Sequence, residues 1–217
     1  MAVGGPKRHI PTPVRKVLDW DQALTKKVVD IAFAAVPSLH TSLRVYMKFL
    51  EVSCHGIPWF ALTLISIYLL RSEASREIQI NLLFGLVYDV MIVAFVKAIV
   101  RRSRPVQNRN DDILSVSVGP DKFSFPSGHA TRAVYVTLFF TQWAYPGMSF
   151  VFRIPILVWA GAVCASRVLM RRHFILDVIA GVAIGNLEFL LSGILWIGPG
   201  ASKWLGDWIS TAEDEYN

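Results

Sequence analysis

Cysteine is nearly absent from this chain, whose 217 residues hold two, Cys54 and Cys164. Cys164 falls mid-way along an apolar run, so no disulfide framework is expected and the redox compartment stays open. No Asn-x-Ser/Thr sequon occurs, so no glycan marks a lumenal loop. The opening "MAVGGPKRHIPTPVRK" has no apolar core behind it. It is therefore expected to form a cytosolic or interfacial arm rather than a cleaved signal peptide, and a serine-rich transit peptide is equally missing. Internal repeats and low-complexity segments are not found. Charge is scarce too, at 18% of residues, against about 25% in an ordinary soluble domain.

What fills the chain instead is apolar: 53% of residues are hydrophobic and the mean hydropathy is +0.45, which points to one integral membrane domain. A bilayer core of roughly 30 Å takes about 20 helical residues. Runs near that length lie at 54–70, 78–100, 128–145, 150–170 and 175–197. They are apolar nearly all round, as lipid-embedded helices must be. Segment 19–50 is weaker, because Lys26, Lys27, Asp30, Pro37, His40 and Arg44 interrupt it. It reads as interfacial helices in preference to a sixth span. The expectation is thus an all-α membrane bundle of five to six spans: a basic arm and weak first helix over 1–53, a core over 54–197 and an extramembrane tail over 198–217. Most tryptophans fall near run ends, as aromatic belts do.

Counting spans fixes sidedness. Segments 101–127 and 171–174 emerge on one face, and 71–77 and 146–149 on the other. The dense charge is all on the first face, and the positive-inside rule would turn that face to the cytoplasm. The net charge of +6 suits anionic lipid headgroups or a phosphorylated substrate. Nucleic acid is not an expected partner.

Three clusters converge there. In "KAIVRRSRP", Lys97 is followed by Arg104 and Pro105; in "FSFPSGHATR", Pro126-Ser127-Gly128-His129 opens a span; in "SRVLMRRHFILD", Ser166 and Arg167 precede His173 and Asp177. Each has an ordinary explanation. Basic residues snorkel at helix ends, Ser127 suits an N-cap, and His173 with Asp177 could be a local i, i+4 pair. Together they make a stronger case. A tetrahedral dianion needs several fixed donors, and Lys97, Arg104, Arg167, Ser127 and the Gly128 N–H at a helix start supply them. If Asp177 accepts a hydrogen bond from His173 it fixes the tautomer and sharpens the other ring nitrogen as a nucleophile, while His129 is placed to protonate a leaving oxygen.

Lys-x6-Arg-Pro, Pro-Ser-Gly-His and Ser-Arg-x5-His-x3-Asp, at these positions, match the three motifs of the type 2 phosphatidic acid phosphatase (PAP2) family, which the chain resembles from Lys97 to Asp177. The resemblance implies a PAP2/haloperoxidase-like helical fold. It implies a lipid phosphate phosphatase in which His173 attacks phosphorus to give a phosphohistidine. His129 would protonate the leaving group and then activate water, and Asp177 would orient His173. Lys97, Arg104, Ser127, Gly128 and Arg167 would bind phosphate, with no metal and no cofactor. The sequence agrees in offering no carboxylate cluster on this face, Asp111 and Asp112 lying in a polar loop. The stretch "LEVSCHGIPWF" is similar to the polyisoprenoid diphosphate subgroup and to small lipid phosphate phosphatases. Expected partners are a lipid phosphate and the bilayer, in the endoplasmic reticulum or another internal membrane.

Two rivals share these residues. A phosphate-binding transporter explains the arginines but not His173, Asp177 and His129 together; a phosphotransferase would use the same nucleophile. Soluble haloperoxidases are disfavoured by the lipid-length spans. Asp89, Glu188 and Asn186 sit within spans, where ionisable or polar groups are either functional or buried partners of neighbouring helices. His55 reads as an interfacial histidine. Arg101, Arg102, Arg171 and Arg172 either raise the local positive potential or anchor helix ends.

Overall fold

The computed structural model describes residues 11–37, 42–70, 72–105 and 122–211. The first ten residues of the basic arm, His40, Arg109, Asp111, Asp112, Asp121 and the acidic end of the tail lie outside the described residues.

Among these residues the chain is helical, with a single β-bridge between Ser103 and Phe123. The order is α1 (Thr12–Ala35), α2 (Ser42–Ser53), α3 (Gly56–Leu69), α4 (Glu73–Val100), α5 (Gly128–Leu138), α6 (Phe150–Leu169), α7 (Ile175–Ile194) and α8 (Pro199–Thr211). Their ends are written locally. Ser72 caps α4, its hydroxyl accepting from the Ser75 N–H at 3.2 Å, and His55 caps α3 by accepting from the Ile57 N–H at 3.3 Å. Arg101 stops α4 in the left-handed region, φ 53°.

Among the described residues three helices, α4, α6 and α7, are long and apolar enough to cross a bilayer, and Arg44–Ser53 with Gly56–Leu69 could form one further span bent by 45°. So the apolar run at 54–70 is a helix of 14 residues that reaches spanning length with α2. Run 128–145 is α5 followed by a π turn over Phe139–Ala144. α5 is the hub of the bundle, with Ala130, Thr131, Arg132, Ala133, Tyr135, Val136 and Thr137 all buried. Outward-facing residues of the spans are large and apolar, Phe95, Phe152, Leu187 and Ile194 among them, as a lipid-facing exterior requires.

α5 and α7 approach closely because α7 carries Gly181 and Gly185, one turn apart. A Cβ on Gly185 would stand 2.4 Å from the Thr131 carbonyl oxygen, and one on Gly181 2.7 Å from that of Ser127. Small residues at this spacing let helix backbones touch within a membrane. At the far end Tyr135, Phe139, Trp143, Phe189 and Trp196 fill the core. There α8 docks on α4 through Lys203 with Glu73 at 2.6 Å and Arg76 with Asp207 at 3.4 Å.

Candidate active site

The end of α4, the starts of α5 and α7 and the end of α6 meet at one face, as counting spans requires. Three backbone links fasten them: Ser124 N–H to Arg102 O at 2.8 Å, Ser127 N–H to Asp177 O at 3.0 Å and His173 N–H to Arg167 O at 3.2 Å. Arg171 takes a left-handed conformation, φ 57°, which ends α6 and turns the chain back toward the bundle. His173 follows it, 4% exposed.

The Nδ1 of His173 lies 2.7 Å from the carbonyl oxygen of Ser124. A carbonyl only accepts, so Nδ1 carries the proton and Nε2 keeps the lone pair of the neutral ring. Burial is the main force holding the His173 imidazole well below its ordinary pKa, followed by the positive charges of Lys97, Arg104 and Arg167. Lys97 and Arg104 of the first sequence cluster thus act on His173 of the third, together with Arg167 of its own cluster. Lys97 and Arg167 are themselves 6% and 2% exposed. Arg167 faces the Glu51 carboxylate at 3.4 Å and donates its Nε–H to Ser166 Oγ at 3.2 Å.

Asp177 does not orient His173 in the way its spacing suggests. Its Oδ2 is 3.9 Å from Nδ1, beyond hydrogen-bond reach. The i, i+4 geometry belongs to a helix, and His173 lies before the helix, ahead of the N-cap Phe174. Asp177 occupies the third helical position and turns back to accept the Phe174 N–H at 2.8 Å. Its other oxygen accepts from Arg102 at 2.7 Å.

Ser127 is fully buried and caps α5, its Oγ accepting from the Ala130 N–H at 3.4 Å. That leaves the hydroxyl proton to donate, and Gly128 follows at the first helical position. His129 joins the site from the next residue. Its Nε2 donates to the Glu51 carbonyl at 3.2 Å, and its ring lies 6.0 Å from that of His55.

Reading the sequence missed Asp21, Thr25 and Glu51, and left Arg102 as one of four ambiguous cations. Arg102 is a buried clamp: one guanidinium nitrogen meets Asp177 and the other Asp21, both at 2.7 Å, while its plane lies over the Phe174 ring at 4.1 Å. The signal available was the polar pair Asp21 and Thr25, one turn apart in a weakly apolar helix. Asp89 pairs with Arg132, whose other arm donates to the Cys54 carbonyl at 3.1 Å, beneath the site. Glu188 is 1% exposed, whereas Asn186 faces outward and donates to the Val182 carbonyl at 2.8 Å. Among the described residues no group of three or more His, Cys, Asp and Glu side chains could hold a metal ion.

The arrangement is a buried neutral histidine under the positive charge of three cations, at the end of membrane spans. The chain matches the PAP2 superfamily over residues 79–196. It is 33% identical over 151 residues to a protein named probable lipid phosphate phosphatase beta from Arabidopsis thaliana, covering 59% of this chain and 70% of that one. It is 30% identical over 163 residues to an undecaprenyl-diphosphatase from Sulfolobus acidocaldarius, covering 73% of each. Its fold is shared with Aquifex aeolicus LpxE, at a TM-score of 0.57 and 21% identity, over 79% of this chain and 95% of that one. It is shared equally with a PAP2-type phosphatidylglycerolphosphate phosphatase of Bacillus subtilis, at a TM-score of 0.58 and 21% identity, over 83% and 86%. The chain belongs to the PAP2 superfamily, and its enzyme class is phosphatase.

Proposed function

We propose that the protein is a membrane-embedded, metal-independent phosphatase of lipid phosphates or diphosphates that works through a phosphohistidine. The observation that carries this reading is the state of His173: Nδ1 is committed to Ser124 at 2.7 Å, which leaves the lone pair on Nε2, and the buried ring feels the positive charges of Lys97, Arg104 and Arg167. A group so disposed is a nucleophile next to an anion hole.

In this reading Lys97, Arg104, Arg167, the Ser127 hydroxyl and the Gly128 N–H hold the phosphoryl oxygens. Nε2 of His173 attacks phosphorus, the bond to the lipid oxygen breaks, and His129 as imidazolium delivers the proton that this oxygen needs. His129, now neutral, takes a proton from water as the water oxygen attacks phosphorus. The P–N bond then breaks, inorganic phosphate leaves, and both histidines return to their starting states. Asp177 contributes by holding the turn that carries His173. The site's place at span ends supports a lipid substrate, since a headgroup reaches the donors while its tail stays in the bilayer. Residence in the endoplasmic reticulum or another internal membrane is part of the proposal, tested by microscopy of tagged protein.

The test is phosphate release by purified protein in EDTA, against phosphatidate, lysophosphatidate, sphingoid phosphates, farnesyl diphosphate and longer polyprenyl diphosphates. Turnover in EDTA, an acid-labile labelled adduct and loss of both in His173→Ala are expected. Strong EDTA inhibition or full activity in His173→Ala overturns the reading, and headgroup transfer to an added acceptor lipid in place of hydrolysis would make the protein a transferase.

A further inference from the structure

The N-terminus of α7, which carries the catalytic turn, is capped from outside. Its N-cap residue, Phe174, has no side-chain acceptor, so the first free N–H groups of the helix need partners from elsewhere. They find them on α1, some 150 residues earlier in the chain. Thr25 Oγ1 accepts the Ile175 N–H at 3.1 Å and Asp21 Oδ1 accepts the Leu176 N–H at 3.1 Å. The Thr25 hydroxyl in turn donates to Asp21 at 3.5 Å. The second oxygen of Asp21 takes Arg102, which reaches on to Asp177. A carboxylate here also meets the positive end of the α7 dipole.

How α1 docks shows what this contact is for. The helix carries Val17, Trp20, Val28 and Ile31, yet leaves all four between 40% and 60% exposed. What it buries is Asp21 at 0%, Thr25 at 5% and Val29 at 1%. Outward apolar residues suit a helix at a lipid interface, so what joins α1 to α7 is the polar pair. The polar docking supplies geometry. It fixes where α7 begins, and so where the two preceding residues, Phe174 and His173, are held.

We propose that Asp21 and Thr25 are positioning residues for the reaction, forming a tertiary N-cap that holds the His173 turn against the phosphate-binding cations. This rests on the function proposed above. The cap acts on the nucleophile and not on phosphate binding, because Lys97 and Arg167 sit on α4 and α6. Misplacing a reacting group by an ångström costs rate steeply.

The experiment measures kcat and KM of the full chain in lipid vesicles for Asp21→Asn, Thr25→Val and a control, Asp19→Asn, on the exposed side of α1. Asp21→Asn is expected to lower kcat roughly tenfold and Thr25→Val about threefold, with KM within about twofold of wild type. Asp19→Asn is expected to match wild type. Thr25→Val stands alone if Asp21→Asn does not accumulate. Combining Asp21→Asn with Arg102→Lys is expected to cost no more than the larger single change, because both act through one network. Wild-type kcat in the capping variants, or a loss that follows KM or the thermal midpoint alone, overturns the inference. If His173→Ala kept activity, the proposed function would fail; if it lost activity while Asp21→Asn kept it, this inference alone would fail.

Discussion

The Nδ1 of His173 is 2.7 Å from the backbone carbonyl of Ser124 and 3.9 Å from the carboxylate of Asp177. The tautomer of the proposed nucleophile is thus fixed by main chain, and Asp177 serves the turn through Phe174 and Arg102. His173→Ala is expected to abolish turnover. Asp177→Asn, which keeps an oxygen for the Phe174 N–H, is expected to retain measurable activity at about a tenth to a hundredth of wild type. Steady-state kcat on the preferred lipid phosphate decides it: equal losses in the two variants would restore Asp177 to the orienting role.

The pH profile follows from the same histidine. Attack needs neutral His173, and burial with three nearby cations holds its pKa well below the ordinary value of about 6.5. Activity in kcat/KM is therefore expected to persist below pH 6.5, its acid limb falling only where the folded site at last takes up a proton. Lys97→Met removes the largest of the charge effects, so its acid limb is expected to move up toward 6.5, though not all the way, since burial is the larger cause. An acid limb left in place would contradict this picture of the site.

At the contact of α5 with α7, Gly185→Ala forces a Cβ to within 2.4 Å of the Thr131 carbonyl. Overpacking of this kind costs roughly 1–3 kcal/mol. A lowered thermal midpoint in detergent is expected, with a loss of activity as α5 shifts His129. Gly161, where an added Cβ meets nothing within 4 Å, provides the comparison, and Gly161→Ala is expected to be neutral.

Asp89, singled out as an ionisable residue inside a span, is buried against Arg132. Breaking a buried pair by removing one partner costs about 3–5 kcal/mol, while replacing both with apolar residues is far milder. Asp89→Leu is expected to lose folded protein, and Asp89→Leu with Arg132→Met to regain most of it, as read by monodisperse yield in size-exclusion chromatography. No recovery in the double variant would point to a role beyond structure.

Much of this was legible in the chain. The long apolar runs announce lipid, and an even number of spans between clusters places them on one face, because each span reverses side. Lys97 and Asp89, eight residues apart on α4, are both buried as a helical repeat implies. Run 54–70 was harder to read: hydropathy sees composition, not the break at Cys54 and His55 that bends α2 against α3. The i, i+4 reading of His173 and Asp177 assumed one helix through both residues, whereas α7 begins two residues after the histidine and leaves the pair 3.9 Å apart.

The sequence by itself determined the candidate groups, Lys97, Arg104, Ser127, Gly128, His129, Arg167, His173 and Asp177, with their order and the spans that bring them to one face. That information is local, carried by residue type and spacing. Tertiary structure alone decided who holds whom. The acceptor for His173 is a backbone carbonyl, which every residue has and no side-chain pattern can mark. The partners of Arg102 lie 75 and 81 residues away, where fractions of an ångström between separately folded helices choose one hydrogen bond over another.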